Sequence, residues 1–569
     1  MTATRTALVP APADARTTDP GRELPGRAVQ GRRRPQVATA TALASLIAVS
    51  VLLRLEGAGV WLWIDEALTV GLAQQPITEI PSMLRLDGSP PLYYLVLHVW
   101  LQLFGSGEAA SHALSLVFAT LSIPVAFWAG SSLFDRRTAW IGAVLAATSP
   151  FLTHFANETR MYSLVTLLAI VVSAAFVHAF IRGTDRALAV FVGALVALLY
   201  THNWGIYLAV AAAVALLPAL LAAEHPRKVL RRGLFAFGAV GLAYLPWAFV
   251  LVGQVGSTGA PWSFTPGARQ VVAEVAALVR DERVLFVLLA VVPVGILELL
   301  RRPRSADGAT AWALVFLVAL PIGLGWAVSH IEPSWATRYL AVVVGPLLLL
   351  AARGLARAGT AGVLALLIAV ALWVQPLTRL QGNLDLDRAG KSDAKALAAS
   401  IDQRLEDGDL VIVAQPEAVP LFAHYVQDDV RFATLWGEVD RPMVMDWRDA
   451  EERLRTVNVD EHLLPLIASL EPGDRIALVG PGGRLVPTDT DWIRSFHRLH
   501  SEWRQTLTSG PSTVLVDRIR STRQEQVDPA DATAGPASAI EAGPGPGSET
   551  DVPVASPFTA RVYEVVAPG

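Results

Sequence analysis

The sequence predicts a polytopic α-helical membrane protein that ends in a soluble α/β domain. Three observations carry that prediction. Only 17% of the residues are charged, where a soluble globular chain has about 25%. The deficit falls between Val37 and Val374, where apolar runs recur that are long enough to cross a hydrocarbon core of roughly 30 Å as helices. After Thr378 the charge density recovers, and helix-like and strand-like stretches alternate. A net charge of −4 gives no reason to expect a nucleic-acid partner, and the absence of cysteine excludes disulfides, Cys-ligated zinc and a thiol nucleophile. Arginine outnumbers lysine 43 to 3, the mark of a GC-rich genome such as an actinobacterium's.

Residues 1–35 are rich in Ala, Pro, Thr and Arg and read as a disordered cytoplasmic tail. The apolar run that follows is too long and too late for a signal peptide. Residues 36–380 form the membrane domain. About eleven spans are expected, near 37–54, 110–134, 138–155, 161–181, 187–202, 206–223, 234–253, 284–300, 310–329, 338–352 and 359–377. Arg32, Arg33 and Arg34 abut the first span and put the N-terminus inside. Five short inside loops then hold 13 basic residues, from Arg136 to Arg357, and the longer outside segments hold seven. This asymmetry obeys the positive-inside rule and leaves the C-terminal domain outside the plasma membrane. The run Pro91–Phe104 is apolar but only 14 residues long, and counted as a span it would reverse every later loop. It is expected to lie in the outer interface, with its Tyr and Trp residues at headgroup level.

Five polar clusters then fall at the outer ends of spans, where ionisable groups are costly and tend to be functional. Asp65 and Glu66 follow Trp61 and Trp63. Asp87-Gly88-Ser89-Pro90-Pro91-Leu92-Tyr93-Tyr94 closes the same loop. His154 to Tyr162 holds Asn157, Glu158 and Arg160. His202 and Asn203 lie in Tyr200–Trp204, and Arg338 and Tyr339 open the tenth span. Each has a plainer reading: a solvated acid, a Glu158–Arg160 pair, a His202 that bonds the end of its own helix. Their shared face, under a topology chosen from Arg and Lys counts alone, points to one external site.

The order of these residues resembles the polytopic GT-C glycosyltransferases. Within them it is most similar to the family 39/83-like bacterial members: protein O-mannosyltransferases, the lipid A aminoarabinose transferase and the rhizobial lipopolysaccharide sugar transferases. The likeness runs through roughly residues 50–380 and is specific at Asp65-Glu66, Asp87 to Leu92 and Asn157 to Leu164. It implies a GT-C fold, a sugar donor linked to polyprenyl phosphate, and chemistry at the outer membrane face. The implied acceptor is an envelope glycan, lipid or protein. In the family the acid of the first outer loop is the catalytic base, and Asp65 occupies that position. O-mannosyltransferases carry a second Asp two residues before a His-Pro-Pro triplet; Asp87 has that offset, with Ser89 in place of the His.

An alcohol is a poor nucleophile, so a carboxylate within hydrogen-bond reach should take its proton. Asp65 is the first candidate, with Glu66 and Asp87 beside it, and Trp61 and Trp63 are expected to desolvate Asp65 and make it a better base. One carboxylate acting through the acceptor, with no enzyme nucleophile, implies inversion at the anomeric carbon. The leaving phosphate needs positive charge and donors: Arg338 first, then Arg160, with His202 and Tyr339. Ser89, Tyr93, Glu158, Tyr162 and Asn203 complete the expected substrate-binding set. Asp65 and Glu158, with Glu66 and Asp87, could hold a divalent cation through oxygen, though no cofactor is required. The expected donor sugar is mannose, with a pentose such as arabinofuranose as the alternative. A lipid or sugar transporter is the rival class, but no internal repeat is visible and the polar residues sit at span ends, away from the midplane. The aromatic loop 254–283 could cover the donor's lipid or serve as a connector.

Residues 381–520 read as an α/β domain with a largely parallel sheet. Helices are expected at 394–405 and 416–426, and strands at 409–414, 430–433, 475–479 and 513–516. Gly480-Pro481-Gly482-Gly483 follows a strand but lacks a phosphate-loop pattern, and reads as a surface turn. Acceptor binding or contact with a partner enzyme is the expected role of this domain. Residues 521–556 read as a disordered insertion, and 557–569 as a terminal strand returning to the sheet.

Overall fold

A computed structural model describes residues 30–55, 57–255, 257–258, 260–379, 391–427, 429–482, 490–520 and 558–567. The tail up to residue 29 and the insertion 521–556 lie outside the described residues. The chain divides into two units, Met1–Leu46 and Ile47–Gly569. Of the first, the described part is the beginning of one helix, α1 (Gln30–Leu55).

Helices follow one another through the membrane region: α2 (Ile64–Gln74), α3 (Ile80–Asp87), α4 (Leu92–Phe104), α5 (Glu108–Leu133), α6 (Arg136–Thr148), α7 (Pro150–Ala156), α8 (Tyr162–Phe176), α9 (Asp185–Leu199), α10 (Gly205–Val214), α11 (Leu216–Ala222), α12 (Pro226–Gln254), α13 (Ala268–Ala277), α14 (Glu282–Leu300), α15 (Ala306–Ser329), α16 (Ala341–Arg357) and α17 (Gly359–Arg379). Among the described residues, eight helical segments are long and apolar enough to cross a membrane, or nine if α6 and α7 form one bent span. Each of the eleven expected spans coincides with a helix or helix pair. The two that fall short are α9, with 15 residues, and α17, whose apolar part is Gly359–Val374. Leu234, Phe235, Leu242 and Phe249 on α12 and Phe286 and Leu289 on α14 face outward, an apolar surface suited to lipid. The chain is a multi-pass membrane protein.

Small residues let these helices approach. A Cβ on Gly345 of α16 would lie 2.6 Å from the Ile170 nitrogen of α8, so the two backbones meet only because that side chain is absent. The expected inside loops tie together at one end: Arg353 of α16 bonds Asp135 at 2.5 Å, and Arg357 bonds Glu298 of α14 at 2.5 Å.

At the other end the third expected span breaks. Ser149 ends α6 and caps α7, accepting from the Leu152 N–H at 3.3 Å, with Pro150 at the first helical position; the axes bend by 47°. The carbonyls freed by the break are satisfied from α1: Ser50 Oγ donates to Ala147 O at 2.7 Å and Arg54 Nη2 to Ala146 O at 2.8 Å. The bend delivers the segment His154–Arg160 to the site described below.

The C-terminal domain is a six-stranded sheet of order β3-β2-β1-β4-β6-β5, formed by β1 (Leu410–Val413), β2 (Arg431–Thr434), β3 (Gly437–Glu438), β4 (Arg475–Pro481), β5 (Thr513–Arg520) and β6 (Phe558–Val565). Only β2-β1-β4 is parallel, so the sheet is mixed where a largely parallel one was expected. Strand β3 pairs antiparallel with β2 at one edge, and β6 enters antiparallel between β4 and β5 at the other. Gly480 lies inside β4 and not in a surface turn: a Cβ there would fall 2.3 Å from the His500 ring.

This domain docks on α2 and α3. Leu68 of α2 is buried in the same core as Leu410, Ile412 and Trp492, with Ile64 and Trp262 packed against it. A Cβ on Gly71 would strike the Met443 carbonyl at 2.3 Å, so α2 meets the domain backbone to backbone. Backbone and side-chain hydrogen bonds close the seam: Leu62 N–H to Tyr425 Oη at 2.8 Å, Trp447 N–H to Leu86 O at 3.1 Å and Asp449 N–H to Ser257 O at 2.8 Å.

Candidate active site

Helix α2 starts after an extended Trp63, and its first turn carries both acids, where the helix dipole favours negative charge. Successive helical residues point about 100° apart, and Asp65 and Glu66 meet different surroundings. Glu66 is fully buried. Its carboxylate accepts from His112 Nε2 at 2.7 Å, the Thr159 N–H at 2.7 Å, Lys391 Nζ at 3.0 Å and the Trp63 N–H at 3.4 Å. His112 also places Nδ1 3.0 Å from the Ala58 carbonyl oxygen. Burial pushes the Glu66 carboxyl up, but Lys391 and His112 outweigh it and hold the group well below the usual carboxylate range.

Glu158 belongs to the same buried side. It lies 3.2 Å from His154 Nε2, and Lys391 Nζ bonds the neighbouring Asn157 carbonyl at 2.5 Å. Burial raises the Glu158 carboxyl, and His154 then pulls it below its ordinary value.

Asp65 faces the other way and keeps 19% of its side chain exposed. Two guanidiniums stand beside its carboxylate, Arg338 Nη2 at 3.5 Å and Arg160 Nη2 at 3.9 Å. Arg160 is pinned by Thr69 Oγ1 at 2.7 Å and the Asp65 carbonyl at 3.2 Å. Arg338 sits in an aromatic box, 4.8 Å from the Trp262 ring, 5.6 Å from Tyr339 and 6.0 Å from Trp63. The Nε atoms of both arginines are buried and without a hydrogen-bond partner among the described residues.

The remaining predicted residues line up around this core. Asp87 ends α3, and Gly88 follows in the left-handed region with φ +94°, a conformation that favours glycine. Burial and the charge of Asp65 raise the Asp87 carboxyl above its ordinary value despite Arg160. Asn203 Nδ2 donates to Gly88 O at 3.0 Å, and the Leu92 N–H donates to Tyr200 O at 2.8 Å, so two distant loops are latched. His202 Nδ1 accepts from the Trp204 N–H at 3.1 Å, which leaves the proton on Nε2. Its ring lies 5.0 Å from Tyr339 and 5.8 Å from Tyr162. Burial, Arg160 and Arg338 hold the His202 imidazole down to about 3, so it is a neutral donor.

Asp65, Asp87, Ser89, Arg160, Tyr162, His202, Asn203, Arg338 and Tyr339 therefore gather in one place. Glu66 and Glu158 form a separate buried network. Tyr93 stands behind the site: its hydroxyl is 2.9 Å from Ser115 Oγ, which donates to the Arg160 carbonyl at 3.0 Å. Asp65 and Glu158 have different cationic neighbours, Arg338 and Arg160 beside Asp65 and His154 beside Glu158. Among the described residues no group of three or more His, Asp or Glu side chains converges as metal ligands. Sequence reasoning missed Thr69, His112, Trp262 and Lys391. Two signals pointed to them: Thr69 stands one helical turn after Asp65, and Lys391 is one of three lysines in the chain.

No family model matches the chain, and no curated protein matches it. Solved structures do. The apo form of ArnT from Cupriavidus metallidurans matches at TM-score 0.54 and 14% identity, over 78% of this chain and 94% of that one. Archaeal oligosaccharyltransferase AglB from Archaeoglobus fulgidus matches at TM-score 0.51 and 13% identity, over 78% and 70%. The arabinofuranosyltransferase AftD from Mycobacteria matches at TM-score 0.50 and 17% identity, over 93% of this chain and 40% of that one. With eight or nine spans among the described residues, helices α2–α4 between the first two and a C-terminal α/β domain, the chain has the GT-C fold.

Proposed function

We propose that this protein is an inverting glycosyltransferase that moves a sugar from a polyprenyl-phosphate donor to a hydroxyl of an envelope glycan, glycolipid or protein on the outer face of the membrane. One observation carries the reading: a half-buried carboxylate, Asp65, stands between two guanidiniums that retain unpaired donors, at the end of the helices where the α/β domain docks. A lipid-linked sugar phosphate needs that pair of features. The acceptor O–H attacks the anomeric carbon as Asp65 takes its proton. The bond from that carbon to the phosphate oxygen breaks with its electron pair, and polyprenyl phosphate leaves. Arg338 and Arg160 stabilise the departing phosphate, with His202 Nε2–H and the Tyr339 hydroxyl as neutral donors. Glu66 holds α2 in register and takes no proton, since every face of its carboxylate already meets a donor. No step requires a metal.

The ligands bound in structures of similar fold support the donor class: ArnT has been solved bound to undecaprenyl phosphate, and AglB with a dolichol-phosphate. The outer-face assignment rests on the Arg and Lys bias of the loops. Mannose is the favoured sugar from the sequence resemblance. The second reading is an arabinofuranosyl donor, favoured by the likeness to AftD, which covers 93% of this chain.

The test is sugar transfer by membranes carrying the full chain, supplied with radiolabelled polyprenyl-phosphate mannose or arabinofuranose and native envelope acceptors. Wild type should transfer one of the two, and Asp65→Asn at matched expression should not. Equal transfer by the variant would remove Asp65 as the base, and inertness of wild type toward both donors would remove the reaction class.

A further inference from the structure

The α/β domain carries a buried acid that the mechanism above does not use. In its sheet β1 has β2 on one side and β4 on the other, both parallel to it, which makes the β1/β4 border a topological switch point. Open α/β sheets hold ligands outside the carboxyl ends of their strands at such points. Here the carboxyl end of β1 runs into Gln415-Pro416-Glu417, and that turn packs on α2, the helix that bears Asp65. Glu417 is only 7% exposed. Its Oε1 accepts from Gln415 Nε2 at 3.0 Å and Trp492 Nε1 at 3.1 Å. Its Oε2 has no partner among the described residues. Buried polar atoms in folded proteins are nearly always paired, so an orphaned carboxyl oxygen beside a candidate active site marks a place for a ligand. The surroundings tie it to that site. Trp262, which packs against the domain core that includes Trp492, also lies 4.8 Å over Arg338. Burial and then, more weakly, the charge of Asp65 push the Glu417 carboxyl up, toward the protonated form.

We propose that the α/β domain forms the acceptor subsite of the enzyme, in which the free Oε2 of Glu417 hydrogen-bonds a hydroxylated acceptor held across from Asp65. The proposal rests on the glycosyl-transfer reading and deepens it. The ligand class is a polyhydroxyl chain, and Glu417 is a positioning residue that leaves proton abstraction to Asp65. Its carboxyl accepts from Gln415 and Trp492 through Oε1 and bonds the acceptor through Oε2. Glutamine can do both, and alanine can do neither.

The experiment uses the full chain in detergent. Half-saturating concentrations of the accepted polyprenyl-phosphate sugar and of a solvent-extracted envelope glycolipid fraction are measured separately for wild type, Glu417→Ala and Glu417→Gln, with melting temperatures. Loss of one buried hydrogen bond should raise the acceptor value of Glu417→Ala about tenfold and leave the donor value within about twofold. Glu417→Gln should restore the acceptor value. Glu417→Leu stands in if the alanine variant does not fold. An unchanged acceptor value in Glu417→Ala overturns the proposal, as does a parallel rise for donor and acceptor or failure of glutamine to restore. Loss of the folded state in both apolar variants makes Glu417 structural and overturns it too. Transfer by wild type with an unaffected Glu417→Ala removes this inference alone. Absence of transfer by wild type removes the glycosyl-transfer reading and this inference together.

Discussion

The two sides of helix α2 hold the same functional group in opposite circumstances. On one side the Glu66 carboxylate is sealed and receives four donors, from His112, Thr159, Lys391 and Trp63. On the other the Asp65 carboxylate stays partly open and has only two guanidiniums near it, at 3.5 and 3.9 Å. The difference teaches how to separate a base from a brace. A carboxylate whose lone pairs are already filled cannot accept a proton without breaking what holds it. One that faces cations with hydrogen-bond donors still unpaired can share them with substrate. The sealed side also joins two parts of the fold, because Lys391 opens the α/β domain and Glu66 lies in the loop after the first span.

The sharpest way to break this contrast is to neutralise each acid in turn. Asp65→Asn should lower transfer by roughly 10²–10⁴-fold, the span of general-base contributions, with little change in melting temperature. Glu66→Ala should do the reverse. It leaves Lys391 and His112 without their shared counter-charge in a buried setting, a change worth about 3–5 kcal/mol of stability. Transfer should then fall only as far as folded protein is lost. Lys391→Met should destabilise by a similar mechanism, and the double variant by less than the sum of the two. Thermal unfolding in detergent, read beside transfer assays, checks all three. A Glu66→Ala protein that melts like wild type and fails in transfer would reverse the assignment of the two acids.

Much of this was legible in the residues, and the remainder has a common physical reason for being hidden. Apolar runs revealed the spans because lipid imposes a length, and polar residues at span ends pointed to the candidate site because such groups are costly there. The division of labour proposed for Asp65 and Glu66 was not legible. It depends on partners far away in the chain: Lys391 is 325 positions from Glu66, and His112 is 46. The β-strand at Phe558–Val565 read as an alternating segment, but its antiparallel insertion between β4 and β5 follows from pairing that no local pattern encodes. Trp262 stood in a loop with two equal readings, and only its place over Arg338 distinguishes it.

A smaller effect probes the open side through pH. His202 is held to about 3 in the folded chain against 6.5 for the free side chain. Its folded value is depressed, so above pH 6.5 neither state binds the proton and stability is unaffected. As pH falls from 6.5 toward 3 the unfolded chain takes up a proton that the folded one refuses, and stability is lost by at most ~1.4 kcal/mol per pH unit. Other groups titrate in that window, so the informative quantity is the difference between wild type and His202→Asn. The variant should lose less stability on acidification. Parallel curves would mean that His202 becomes charged in the folded state, and it would then act as a third cation beside Arg160 and Arg338.

The smallest expected effect tests whether the open side and the α/β domain act on one ligand or two. Trp262 touches both, since its ring lies 4.8 Å from the Arg338 guanidinium while the residue packs against the core around Leu68 and Trp492. Trp262→Leu keeps an apolar side chain at that seam and removes the ring face that orients the guanidinium. A cation–π contact is worth about 0.5–1 kcal/mol where water reaches it, so the half-saturating donor concentration should rise about threefold. Trp262→Phe, which retains a ring, should recover most of that loss. A rise confined to the acceptor would instead assign Trp262 to the surface that includes Glu417 and Trp492. The seam between the membrane domain and the α/β domain would then belong wholly to the acceptor, with the donor phosphate held by Arg160 and Arg338 from the membrane side.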